Sequence, residues 1–199
     1  VAYPPLLAAG AVVAVGWVRA DRARVGLRRA ALAGAVAVTG AVSAVAALPV
    51  LPAAVLARTG LVTVAREQGE QVGWPALVAA TAQGWSSLSA EERGRAVVVG
   101  GDYGVAGAVE VLGAAAGLAE VAYSGHNAFG DWGPPPDGAG TAVLVGLDEH
   151  EFPWCATSRR VAVVDNGVGV ANRAQGTVVR VCTLDRSWDA VWPGVRFLG

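Results

Sequence analysis

Residues 30–56 carry no charge at all, and this single run of 27 residues constrains the chain more than any other feature of its sequence. About 20 apolar residues suffice for a helix to cross the roughly 30 Å hydrocarbon core of a bilayer, so the run predicts a transmembrane helix. Gly34, Gly40 and Ser43 would let a neighbouring helix approach closely, and Pro49 with Pro52 would bend or end the helix near its exit. The alternative is a buried helix of a soluble core. Residues 1–18 are also uncharged and apolar and are read as a second span. Between the two lies a short segment, 19–29, with five Arg and one Asp. The positive-inside rule places such a loop in the cytoplasm. Two crossings then return the chain to the other side, which makes this a multi-pass plasma-membrane protein with everything beyond Arg58 on the extracytoplasmic face.

Composition agrees with a chain divided between two surroundings. Only 16% of its 199 residues are charged and 54% are hydrophobic, against a usual charged share of about a quarter. Residues 1–58 have a formal charge of +5, with six Arg and one Asp, whereas 59–199 have −6. High apolar content, aperiodic Gly and Pro and only two Cys exclude a disordered chain, a collagen-like repeat and a small disulfide scaffold. All basic residues are Arg, scattered along the chain, so nothing marks a nucleic-acid surface. No basic stretch precedes the first apolar run, which argues against a signal peptide. A chain opening at Val1 in an apolar run reads as the tail of something longer.

Beyond the spans, residues 59–92 read as a juxtamembrane helical connector. Trp74-Pro75 opens a helical pattern in which Leu77, Val78, Thr81, Trp85 and Leu88 share a face. Trp74 and Trp85 suit either an interfacial aromatic belt or packing onto the following domain. Ser89 and Glu92 have capping-box spacing. Residues 93–199 form an α/β pattern. A Val-rich strand over 96–99, the turn Gly100-Gly-Asp-Tyr-Gly104 and an apolar helix over 105–116 begin a βαβ unit, with further strands expected at 120–123, 141–147, 160–165 and 177–182. Asp148 can cap a short helix through Trp154, and 188–198 suggest a terminal helix interrupted at Pro193. The expected fold class is therefore α/β: two N-terminal transmembrane helices followed by a small α/β outer domain.

Chemistry-bearing residues concentrate in the loop Tyr123-Ser-Gly-His-Asn127 and the following Phe129 to Pro136. Tyr123, Phe129 and Trp132 offer faces for a sugar ring or a lipid, and His126, Asn127 and Asp131 offer hydrogen bonds to hydroxyls or phosphate oxygens. A loop pinned onto its own domain is the competing reading. Ser124, His126 and Asp131 invite comparison with a catalytic triad, but the G-x-S-x-G elbow is absent. Gly101, Gly104 and Gly107 flank a strand-to-helix turn that suits an anion, or simply close packing. They do not spell G-x-G-x-x-G, and no acid follows at the dinucleotide-binding distance. His126, His150, Asp148, Glu149, Glu151 and the two thiols show no metal-ligand spacing, so no metal site is assigned. Cys155 and Cys182 form a disulfide if the domain faces an oxidising compartment.

One set of motifs occurs in an order that resembles a known family. Gly101-Asp-Tyr-Gly-Val-Ala-Gly107, Ser124-Gly-His-Asn127, Trp132-Gly-Pro-Pro135, Asn166-Gly-Val-Gly-Val-Ala-Asn172, Gln175-Gly176 and the Trp188 to Trp192 ending resemble the C-terminal outer domain of bacterial membrane glycosyltransferases of family 39. These are related to the dolichyl-phosphate-mannose protein mannosyltransferases and the lipid A aminoarabinose transferases. In the family the first motif reads Glu-Asn-Tyr-Gly-Glu-Ala-Gly; here Gly101, Asp102 and Val105 replace its first Glu, its Asn and its second Glu. The resemblance implies the C-terminal region of a GT-C-type enzyme that moves a sugar from a polyprenyl-phosphate donor to an extracytoplasmic glycan, lipid or protein acceptor. It also implies a catalytic Asp in a first outer loop upstream of Val1, so no catalytic residue is assigned to this chain and no cofactor beyond the lipid-linked donor. His126, Asn127 and Trp132 are carried over as binding contacts. A reading from another class is a membrane-tethered glycan- or lipid-binding module without catalysis.

Overall fold

A computed structural model of the chain describes residues 3–118, 122–147 and 152–199, which divide into two compact units, Val1–Pro52 and Ala53–Gly199. The first unit is a helical hairpin: α1 (Tyr3–Arg19), a 3-10 turn (Arg22–Arg24) and α2 (Val25–Ala47). Asp21 makes the turn, its carboxylate accepting the N–H groups of Ala23 at 3.0 Å and Arg24 at 3.3 Å. Arg28 closes the hairpin by donating to the Trp17 carbonyl at 2.6 Å and lying 5.2 Å over the Trp17 ring. The basic segment is thus only partly a loop, because Arg28 and Arg29 already belong to α2.

The helical run Arg22–Ala47, 26 residues, is the one helix among the described residues that is long and apolar enough to cross a membrane. It ends at Ala47, short of the expected Leu56. The residue before a proline is driven towards extended backbone, and Leu48, preceding Pro49, sits at φ −101°, ψ 146°. Ala53–Leu56 form a separate turn, α3. At 17 residues α1 spans roughly 26 Å, less than the hydrocarbon thickness, so a second crossing is not established by its length. Both helices leave large apolar side chains exposed, among them Leu7, Val12, Val36 and Val42.

The second unit is a mixed α/β domain. After α4 (Leu61–Val64) and α5 (Arg66–Glu70) come α6 (Trp74–Ser86), α7 (Ala90–Arg93), β1 (Ala96–Gly100), α8 (Tyr103–Leu112), β2 (Ala122–Tyr123), a 3-10 segment (Asn127–Trp132), β3 (Thr141–Val145), β4 (Cys155–Val163), β5 (Val178–Leu184) and α9 (Trp188–Val195). The five strands form one sheet in the order β2-β1-β3-β5-β4. β1 is parallel to β2 and β3, while β5 runs antiparallel to β3 and β4 antiparallel to β5. β1 leads to β2 through α8, the crossover that parallel neighbours require.

Helices cover both faces. Val98, Val143 and Val181 pack with Leu77 and Val78 of α6 and with Val105 and Val109 of α8. Val97, Val99 and Leu144 pack on the other side with Phe152, Trp154 and the α9 residues Trp188, Val191 and Trp192. All five residues of β3 are buried, as expected of a strand covered on both faces. Trp74 and Trp85 lie partly buried against the first of these cores, which favours domain packing over an aromatic belt. The capping box is present: Ser89 Oγ accepts from Glu92 N at 3.1 Å, and Glu92 accepts from Ser89 N at 2.7 Å. These bonds hold the Glu92 carboxyl below the usual range.

β4 begins five residues earlier than the pattern 160–165 suggested, because its first half, Cys155-Ala-Thr-Ser-Arg-Arg160, is an exposed edge without apolar alternation. Arg159 and Arg160 guard that edge against pairing with another chain. The helix expected from Asp148 falls largely on 148–151, outside the described residues, as do the first residues of the strand expected at 120–123. Cys155 and Cys182 are joined by a disulfide with Cα atoms 5.6 Å apart, tying β4 to β5.

Candidate functional site

The parallel strands β1, β2 and β3 all end at one edge of the sheet, and the chain leaves two of them in opposite directions. After β1 it enters α8, whose Val105 and Ala106 lie in the core on one face. After β3 it turns at Gly146, φ +75°, and inserts Leu147 into the core on the other face. Such a divergence opens a crevice at the carboxyl ends of the strands. Here it is a cleft of about 610 Å³, within the range of small-ligand sites.

Three segments distant in sequence build its walls. Asp102, Tyr103 and Gly104 come from the first turn of α8, Arg66, Glu67 and Glu70 from α5, and Arg173 and Ala174 from the loop between β4 and β5. Trp74, His126 and Phe197 add rings. Close backbone approach explains Gly101. A Cβ there would collide with the carbonyl of Gly146, since Gly101 N donates to Val145 O at 2.8 Å. Gly101→Ala is therefore expected to spread the ends of β1 and β3 at a cost of about 1–3 kcal/mol, read by chemical denaturation; an unchanged midpoint would contradict this close contact.

Charge in the cleft is ordered by local bonds. Asp102 caps α8 by accepting from Val105 N at 2.9 Å, and its other oxygen lies 3.6 Å from Arg173 Nη2. Glu70 accepts the backbone N–H of Arg173, both oxygens at 3.3 Å. The loop carrying Arg173 is braced from inside. Asn172 donates to the carbonyls of Gly69 at 2.7 Å and Val72 at 2.6 Å, and Asn166 donates to Val170 O at 2.7 Å. Asp165 accepts from Gly167 N at 3.0 Å and Gln175 Nε2 at 3.3 Å, which holds its carboxyl below the usual range. A lowered carboxyl stabilises the loop above its unfolded pKa and loses that contribution as pH falls through the folded value. The Gly167 amide resonance is expected to titrate with a midpoint below that of an unfolded aspartate, and a midpoint at or above the unfolded value would contradict the bond.

Neither family nor relative places the chain. No family model, curated protein or solved structure matches it. Residue geometry therefore carries the site. His126 is 6% exposed and lines the cleft, its ring stacked nearly parallel on Phe197 (4.4 Å) and tilted against Tyr103 (4.9 Å). Its Nε2 is 3.0 Å from the Asn127 side-chain amide, and its Nδ1 is buried without a partner. Asn127 adopts φ +52°, accepts from Gly199 N at 3.2 Å and bonds through its backbone N–H to Phe197 O at 2.9 Å. It positions the ring and does not line the cleft. Trp132 is 73% exposed, packs on Phe129 at 4.3 Å, and stands outside the cleft.

The triad geometry is absent. Ser124 Oγ accepts from the backbone N–H of His126 at 3.2 Å, and Asp131 pairs with Arg196. Among the described residues no three His, Cys, Asp or Glu side chains gather as metal ligands; His150, Asp148, Glu149 and Glu151 lie outside them. Arg66, Glu67, Glu70 and Arg173 were not candidates from sequence. The only signal pointing near them was the Asn- and Gly-rich run 166–176, which proves to be the brace that presents Arg173.

Proposed function

We propose that this chain is the C-terminal part of a polytopic membrane glycosyltransferase that moves a sugar from a polyprenyl-phosphate donor to an acceptor outside the cell, and that Ala53–Gly199 is its extracytoplasmic domain, aiding acceptor selection. The observation that carries this reading is convergence. Two of the motifs that resemble family 39 glycosyltransferases, at 101–107 and 124–127, contribute Asp102, Tyr103 and His126 to one ligand-sized cleft, and Arg173, which joins them there, stands between two more, 166–172 and 175–176. In this reading Tyr3–Arg19 is a second span, short enough that the bilayer thins around it, and the Arg-rich turn faces the cytoplasm. The Cys155–Cys182 disulfide supports an oxidising, outer location for the domain.

A specific observation favours a second reading, a tethered binding module. Among the described residues His126 has no carboxylate partner and Ser124 is engaged by backbone, so the cleft groups described here bind without an arranged nucleophile and base. Deletion of the gene in its own cell, followed by labelling of surface glycans from polyprenyl-phosphate sugar, separates the two. Loss of one labelled glycan, restored by the intact gene, supports the transferase. Unchanged glycans, or a C-terminal reporter that remains cytosolic, overturn it.

A further inference from the structure

We infer that the cleft at the ends of β1 and β3 binds a neutral saccharide and turns away the phosphate headgroup of a lipid-linked donor. This rests on the reading above in taking the cleft as the ligand site of the domain, and it assigns that site to the acceptor side of the reaction. Charge gives the first reason. The walls present two guanidiniums, Arg66 and Arg173, against three carboxylates, Glu67, Glu70 and Asp102. The positive end of α8, the natural seat for an anion, is already taken by Asp102. The walls are therefore net negative, which disfavours a phosphate.

Hydrogen-bonding capacity gives the second. Among the described residues, the Arg66 guanidinium, the Glu67 carboxylate and the Tyr103 hydroxyl are left without a hydrogen-bond or ion-pair partner, so one cleft offers free donors and free acceptors together. The phosphodiester of a lipid-linked donor only accepts, whereas every sugar hydroxyl donates and accepts. Exposed ring faces give the third. Tyr103 and Phe197, 51% and 45% exposed, pack on the buried His126 and each leaves aromatic surface at the cleft wall suited to the C–H face of a pyranose. His126 Nδ1, buried and unpartnered among the described residues, is an unmet bond that a ligand hydroxyl would satisfy.

The test uses the full chain in lipid nanodiscs, free of glycoside detergents, and saturation-transfer NMR with methyl mannoside, methyl galactoside, N-acetylglucosamine and cellobiose as probes. At least one saccharide is expected to bind with a Kd on the order of 1 mM. Tyr103→Ala and Glu67→Gln, both at the cleft wall, are expected to weaken it about tenfold, and inorganic phosphate is expected not to displace it. Arg95→Ala, at the opposite end of β1, should bind as the unaltered protein does, and circular-dichroism melts confirm that each variant is folded. Absence of transfer to every saccharide, displacement by phosphate, or unaltered binding by folded Tyr103→Ala and Glu67→Gln overturns the inference. Saccharide binding alongside unchanged surface glycans in the deletion strain sinks the transferase reading alone. Intact sugar transfer without binding sinks only this inference.

Discussion

Replacing Trp188 with alanine is expected to remove about 3–5 kcal/mol from the stability of the second unit, the range for deleting a buried aromatic side chain. Trp188 is fully buried at the first turn of α9 and meets Trp154 edge-on at 5.3 Å and Trp192 at 6.4 Å. Its indole N–H donates to Ala139 O at 2.8 Å, tying the helix to the segment that leads into β3. Alanine leaves a cavity beneath the sheet and an unpaired carbonyl above it. Because domains of this size hold only about 5–15 kcal/mol, such a loss lowers the melting temperature by roughly 10 °C. Trp188→Phe keeps most of the ring and is expected to cost less, chiefly the lost hydrogen bond. Urea titration of both variants checks the order. A Trp188→Ala cost below about 1 kcal/mol would mean that α9 does not close this face of the sheet.

The residues that gave away the fold were those whose environment is simple. β1 and β3 are short apolar runs covered on both faces, and they read as strands without ambiguity. Thr81, Leu77 and Val78 mark the buried stripe of α6 by helical spacing alone. β4 was half hidden, since an exposed edge strand has no apolar face to write a period into the sequence. The apolar run 30–56 was legible as membrane-length, but its helix stops at Ala47 because Pro49 acts on the backbone before it, an effect that counting hydrophobic residues overlooks.

The cleft was less legible than the fold for a related reason. His126 stood out because an isolated His in a Gly- and aromatic-rich loop is chemically conspicuous. Arg66, Glu67, Glu70 and Arg173 looked like any solvated surface, and only the topology of the sheet brings α5 and the loop between β4 and β5 to the ends of β1 and β3. Asn127 and Trp132, equally conspicuous in sequence, lie beside and outside the cleft because Asn127 turns the chain towards Phe197 and Trp132 packs on Phe129.

Removing the disulfide with Cys155→Ala and Cys182→Ala together is expected to destabilise the second unit by roughly 3.5 kcal/mol while leaving ligand affinity intact. The magnitude follows from chain entropy. The two cysteines are 27 residues apart, and freeing a loop of that length returns this much entropy to the unfolded chain at room temperature. Substituting both avoids leaving one reactive thiol, Cys182 being fully buried in the core with Trp188. The separation of stability from affinity follows from register. Cys155 pairs with Leu184 and Cys182 with Ser158, at the open end of the β4–β5 hairpin, whereas Val163 pairs with Val178 at the end that carries Arg173 to the cleft. That loop keeps its own brace in Asn166, Asn172 and Asp165, none of which depends on the sulfurs. Denaturant midpoints should therefore fall sharply, and saccharide affinity measured well below the melting temperature should match that of the disulfide-bonded protein. A joint loss of both would show instead that the far end of the hairpin sets the position of Arg173, and would transfer the control of the cleft from its local hydrogen bonds to the covalent link.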